Sequence, residues 1–243
     1  WSQIAGVALM AVVALLYSAD FNFEAKLIPF MLVAGTSGAI GYLFFYKGFE
    51  IGKVSVVSSV INLQLLFTMG IAFFVFGQTL SALQIFAIAM VIVGITIVST
   101  KFSYLRNKIS LAKGVKETLI AAVLFGAFFW PFNEYVVERT DWLSAALIIK
   151  IIAVLVVLVL SLLQRQKLGL QVASKKIFIL LALVGLLEAG AVLATSFGVA
   201  LGDSIIVVPI SSALTIVTVG LAMIFLKEKI TKTQGVGILL TVD

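Results

Sequence analysis

The chain has 243 residues, 62% hydrophobic and 12% charged, with a mean hydropathy of +1.23 and a net charge of +6. A soluble domain averages roughly 45–50% apolar and about 25% charged residues, so a soluble globular fold is excluded. The absence of apolar/polar alternation excludes a membrane β-barrel, and the absence of cysteine and histidine removes disulfides, thiol nucleophiles and the usual zinc or haem ligands. What is left is an all-α integral membrane protein. Its basic balance reads as Lys and Arg kept in cytoplasmic loops rather than as a nucleic-acid surface.

Apolar blocks fall near 1–17, 27–46, 54–76, 82–100, 115–133, 142–163, 177–200 and 204–226, and a ninth begins near 233. A span needs about 20 residues, which the complete blocks supply. The chain opens on Trp1 inside one run and stops at Asp243 inside another, which reads as a trimmed sequence with a helix before Trp1. The first run is too short and too close to the start for a signal peptide.

The 27–46 block carries a small-residue stripe, Gly35, Gly38, Gly41, Gly48 and Gly52, beside Tyr42 and Tyr46. Such a stripe reads first as close helix packing, and Tyr46 as a lining residue of a central path. The next block holds Ser55, Ser58, Ser59, Asn62 and Gln64. Buried Asn and Gln in hydrocarbon need partners, so Asn62 and Gln64 should face protein or a watery cavity. In "FGAFFWPFNEYVVER", Pro131 permits a bend, and Trp130 and Asn133 read either as an interfacial anchor or as cavity lining.

Two charges lie inside spans. Lys150, in "ALIIKIIAV", reads as a snorkelling lysine, a binder of a substrate carboxylate, or a partner for an acid. Glu188, in "VGLLEAGAVL", lies midway along its block on the stripe Gly185, Glu188, Ala191, Thr195, Gly198 and Gly202. A charge at that depth costs at least about 2.5–3.5 kcal/mol, so it needs a reason: a cavity-facing group for proton coupling or as counter-charge for a substrate amine, which is favoured, or a structural hydrogen-bonding role. Their depths differ by ~7 Å at about 1.5 Å per residue, which a lysine can bridge. The last full block adds Ser211, Ser212, Thr215 and Thr218.

A shift of 150 residues lays 35–93 on 185–243 without a gap, matching Gly35, Ala39, Leu43, Gly48 and Gly52 to Gly185, Ala189, Leu193, Gly198 and Gly202. Val57, Thr68, Gly70, Ala72, Gln84 and Ile88 likewise meet Val207, Thr218, Gly220, Ala222, Gln234 and Ile238. The shift passes five spans, an odd number, so the copies face opposite ways. Loop charge agrees: Lys and Arg gather after alternate blocks, with only Lys26 and Arg139 on the other side, and "KEK" at 227–229 meets "GQT" at 77–79. That is the pattern of an inverted-repeat transporter with its Lys-rich loops in the cytoplasm. Glu188 is the exception to the symmetry, because its mate is Gly38.

"GDSIIVVPISSALTIVTVGLAMIFLKEKITKTQGVGILL" and "FYKGFEIGKVSVVSSV…FGQTLSALQ" resemble the drug/metabolite transporter superfamily, in its ten-helix EamA-type branch. The resemblance implies two five-helix halves, 1–105 lacking its first helix and 106–243 with its last helix cut. It also implies cytoplasmic termini, which the loop charges contradict at the C-terminal end. A basic residue at the place of Lys150 fits the family pattern.

The expected function is a secondary transporter moving a small polar or amphipathic metabolite by alternating access, with export of amino-acid-like solutes favoured and proton coupling an option. An uncoupled facilitator or channel and a non-transporting assembly subunit are the alternatives. No Walker loop, GxGxxG turn or Ser/His/Asp set supports an enzyme or a cofactor. The candidate substrate or coupling residues are Glu188, Lys150, Asn62, Trp130, Asn133, Gln64, Ser212, Thr215 and Tyr46. The expected setting is a multi-pass prokaryotic inner membrane protein, monomer or homodimer, with the lipid bilayer and a small solute as partners and no nucleic acid.

Overall fold

A computed structural model of the chain describes residues 1–74, 81–101, 110–165, 175–201, 214–228 and 230–240. The described residues are helical apart from turns and one two-residue antiparallel ladder, Thr100–Lys101 with Ser110–Leu111, inside the long polar connector. In chain order the α-helices are α1 Ser2–Leu16, α2 Ile28–Ile51, α3 Val54–Val60, α4 Leu63–Phe74 and α5 Ala82–Ser99. They continue with α6 Val115–Val123, α7 Trp130–Val137, α8 Trp142–Leu163, α9 Lys175–Leu201, α10 Leu214–Phe225 and α11 Lys232–Leu240. Five described segments are long and apolar enough to cross a bilayer: Ala25–Ile51, Val54–Ile71, Val115–Val137, Trp142–Leu163 and Lys175–Gly198.

The chain divides into two compact units, Trp1–Ala39 with Phe132–Val207, and Ile40–Pro131 with Val208–Asp243. In the first, α1, α8 and α9 pack around Met10, Ala14, Leu143, Ala146, Leu147, Ala189 and Leu193. The α8 helix starts where it does because the Asp141 carboxylate accepts the Ser144 N–H at 2.8 Å, satisfying one of the orphan donors of the first turn. The outer side of α9 stays apolar and exposed: Leu187 is 68% exposed while its neighbour Ala189 is fully buried. A helix apolar all round, buried on one side only, suits hydrocarbon on the other.

The repeat is legible in this packing. A Cβ on Gly35 of α2 would meet Ile152 Cγ2 of α8 at 2.5 Å, and a Cβ on Gly185 of α9 would overlap the Ser2 carbonyl of α1. The 150-residue shift carries Gly35 to Gly185 and Ser2 to Ile152, so the two contacts are one contact seen twice. The small-residue stripe is therefore helix packing at these positions.

In the second unit the core is Val56, Val60, Val115, Val219 and Ile238, drawn from α3, α6, α10 and α11. Two helices here are broken. The block expected to run unbroken over 54–76 turns at Ile61 and Asn62 between α3 and α4. The block expected to end at 133 continues to Val137 through a π-helical stretch at Leu124–Phe129. Pro131 explains the π stretch, since it has no N–H for the Ala127 carbonyl and its ring would clash there. The α2 helix also outruns its expected end, reaching Ile51 through "YKGFEI", with Lys47 and Glu50 paired at 3.0 Å on its exposed side. Its final turns lie against the 113–114 turn, where Gly114 has φ +84 and a Cβ on it would stand 2.6 Å from the Gly48 carbonyl. Only glycine accepts that backbone and that approach.

Candidate functional site

Within the first unit, α8 and α9 bring Lys150 and Glu188 together as an ion pair through Glu188 Oε2. The lysine side chain is 5% exposed and the glutamate 14%. Gln3 of α1 donates its Nε2–H to the same carboxylate oxygen at 3.5 Å, while Glu188 Oε1 is buried without a hydrogen-bond partner among the described residues. Three helices thus meet at one carboxylate. Gly6 leaves room for the pair, because a Cβ there would lie 3.2 Å from Lys150 Cε and 3.1 Å from the Gly185 carbonyl. Of the readings open for Lys150, the geometry selects the acid partner over the snorkelling lysine. A buried ion pair with a spare acceptor atom can receive a donor from a solute while keeping its own charge balanced.

Asn133 is also in this unit and is 2% exposed. It sits in mid-helix, since α7 runs on past it, which places it in buried packing rather than at a helix end.

A separate group lies in the second unit. Trp130 donates its indole N–H to Gln64 Oε1 at 3.3 Å. The Thr68 hydroxyl lies 3.0 Å from both the Gln64 and the Gly126 carbonyls, tying α4 to the π stretch. A Cβ on Gly126 would overlap the Gln64 carbonyl, so the two irregular segments touch backbone to backbone. Asn62 is buried at 3% exposure in the turn between α3 and α4. Tyr46 is 41% exposed and stacks on Tyr42 at 6.0 Å, and Tyr42 meets the edge of Phe125 at 5.1 Å. Backbone that departs from the α-helix at membrane depth is tolerated where protein or a cavity satisfies it.

The candidates therefore fall into two groups: Lys150, Glu188 and Asn133 in one unit, and Trp130, Gln64, Asn62 and Tyr46 in the other. Ser212 lies outside the described residues, and so does the side chain of Thr215. Gln3, Gly6, Thr68 and Gly126 carry site geometry that the sequence reading did not assign. Gln3 had a signal, as a lone amide in an apolar run.

An apolar helical chain with an inverted internal repeat, broken helices and an intramembrane ion pair defines a membrane transporter. The EamA-like transporter family matches residues 2–100 and 118–242. The chain belongs to that family, in the drug/metabolite transporter superfamily, and its setting is the lipid bilayer and its cargo a small molecule. A solved structure described as "Crystal structure of protein" is 14% identical, with 99% of this chain and 83% of that one covered and a TM-score of 0.68. That likeness shows the shared fold. The comparison with curated proteins finds no match.

Proposed function

We propose that the protein is a secondary transporter of small polar or amphipathic metabolites, amino-acid-like solutes first among them, working by alternating access and in the export direction. The observation that carries this is the buried Lys150–Glu188 pair within two spans. A zwitterion presents an ammonium to the carboxylate and a carboxylate to the ammonium, so four charges arrange with no net charge buried. Asn133, in the same unit as the pair, would add a polar contact, and Trp130, Gln64, Asn62, Tyr46, Ser212 and Thr215 would contact solute as a group of their own in the other unit. The setting we favour is a prokaryotic inner membrane, with the protein as monomer or homodimer and the two halves meeting near residue 105.

Proton coupling would run through Glu188, whose Oε1 accepts no hydrogen bond among the described residues. In liposomes loaded with a panel of labelled amino acids, Glu188→Gln should abolish movement driven by a pH gradient while thermal unfolding remains cooperative. Unchanged gradient-driven movement would overturn the coupling role. A second reading, uncoupled facilitation, gains from the same pair: Lys150 already neutralises Glu188, so no proton is needed to bury the carboxylate. Flux in the native protein that ignores an imposed pH gradient would favour it.

A further inference from the structure

The turn between α10 and α11 carries Glu228, whose carboxylate reaches the first turn of α3, more than 170 residues away in the chain. Oε1 accepts the Val54 N–H at 2.8 Å, and Oε2 accepts the Ser55 N–H at 3.2 Å and the Ser55 hydroxyl at 2.8 Å. All these groups belong to the second unit. The start of α3 has no cap of its own, since Lys53 at the N-cap position offers no side-chain acceptor. Glu228 therefore supplies the orphan N–H groups with an acceptor that is also an anion at the positive end of the helix. Ser55 is 3% exposed, so the hydroxyl bond forms away from bulk water. Bonds of this kind are about twice as strong as neutral ones.

The residues that make this contact occur together at one end of the repeat only. The 150-residue shift pairs Glu228 with Gln78 and Ser55 with Ile205, so the sequence carries neither the carboxylate nor the hydroxyl at the mate positions. Gln78 and Ile205 lie outside the described residues. The neighbouring junction of α2 with the 113–114 turn is of another kind, glycine backbone on glycine backbone at Gly48, Gly52 and Gly114. Interdigitated backbone of that sort does not open without separating helices, whereas three hydrogen bonds to one side chain can break by a rotation.

We infer that Glu228 is a one-sided conformational latch. It holds the α10–α11 turn to the start of α3 in the conformation seen here. Its release lowers the cost of parting α3 from α10, which also share the Val56, Val60 and Val219 core. The latch sits on the Lys-rich side, near Lys53, Lys227 and Lys232 in the sequence, and, resting on the alternating-access reading proposed above, it biases the transporter toward one of two access states.

Amide hydrogen exchange on the full chain in lipid nanodiscs tests this without a known substrate. Glu228→Gln should raise exchange about tenfold or more, the change expected for losing charge-assisted bonds. The rise should cover the amides of 54–60 and 214–225 as one cooperative set. Ser55→Ala, which leaves the backbone bonds in place, should give a smaller rise over the same set. In the double variant the effects should not add, because both act through one contact. A rise confined to the Val54 and Ser55 amides, or additive effects at unconnected amides, would overturn the proposal and leave Glu228 a helix cap. If Glu228→Gln unfolds the protein, the Ser55→Ala pattern alone decides between the two.

Discussion

Ile152 occupies the space that a side chain on Gly35 would need, with its Cγ2 at 2.5 Å from the Cβ position. The same contact recurs between Ser2 and Gly185, and each pairs a helix of one copy with a helix of the other. Gly35→Ala should destabilise the protein by about 1–3 kcal/mol, the usual cost of overpacking, measured by denaturant titration in detergent. Ile152→Ala should recover only part of that loss, because it removes Cγ2 but leaves the residue's own Cβ at 2.7 Å and the Ile149 carbonyl at 2.9 Å. Gly185→Ala should cost at least as much and should not be rescued by substituting Ser2, since there the obstacle is a backbone carbonyl.

Lys150 and Glu188 should behave as a unit in stability. Lys150→Met or Glu188→Gln alone leaves an uncompensated buried charge and should cost about 3–5 kcal/mol. The double variant should recover most of it, and a double-mutant cycle followed by thermal unfolding measures the coupling. Additive losses would show that the pair does not act together.

The junction of the two broken helices should tolerate loss of a hydroxyl better than gain of a methyl. Thr68→Val should cost about 1 kcal/mol, a typical hydrogen bond. Gly126→Ala should cost about 3 kcal/mol, the upper end of overpacking, because its Cβ would overlap the Gln64 carbonyl. Tryptophan emission reports the change directly: Gln64→Leu should shift it by removing the acceptor of the Trp130 indole, while Gln64→Leu in a Trp130→Phe background should not.

Much of the architecture was legible in the residues because hydrocarbon imposes simple rules. Every spanning block had to be helical to satisfy its own backbone, and the glycine register from Gly35 to Gly52 repeated from Gly185 to Gly202. Lys150 and Glu188 stood out because charge at that depth is costly. Other features left weaker traces. The equivalence of Ser2 and Ile152 follows from the 150-residue register but not from residue type, so the two letters themselves do not signal a shared contact. The break at Ile61–Asn62 lies in an apolar run without Gly or Pro, where only tertiary packing decides. Pro131 signalled a bend, but the π turn that absorbs it depends on Gly126 meeting α4. Glu228 read as part of a basic turn, and its grip on α3 spans a sequence distance that no local pattern reports.

We propose that the Lys150–Glu188 pair, which braces α8 against α9, also receives the solute. The most direct test exchanges the charges, Lys150→Glu with Glu188→Lys, and follows thermal unfolding of both proteins against a panel of free amino acids. The native protein should be stabilised by at least one of them in a concentration-dependent way. The exchanged protein should keep a paired, cooperative fold and lose that response. Equal stabilisation of both proteins by the same amino acids, or stabilisation of neither, would contradict it.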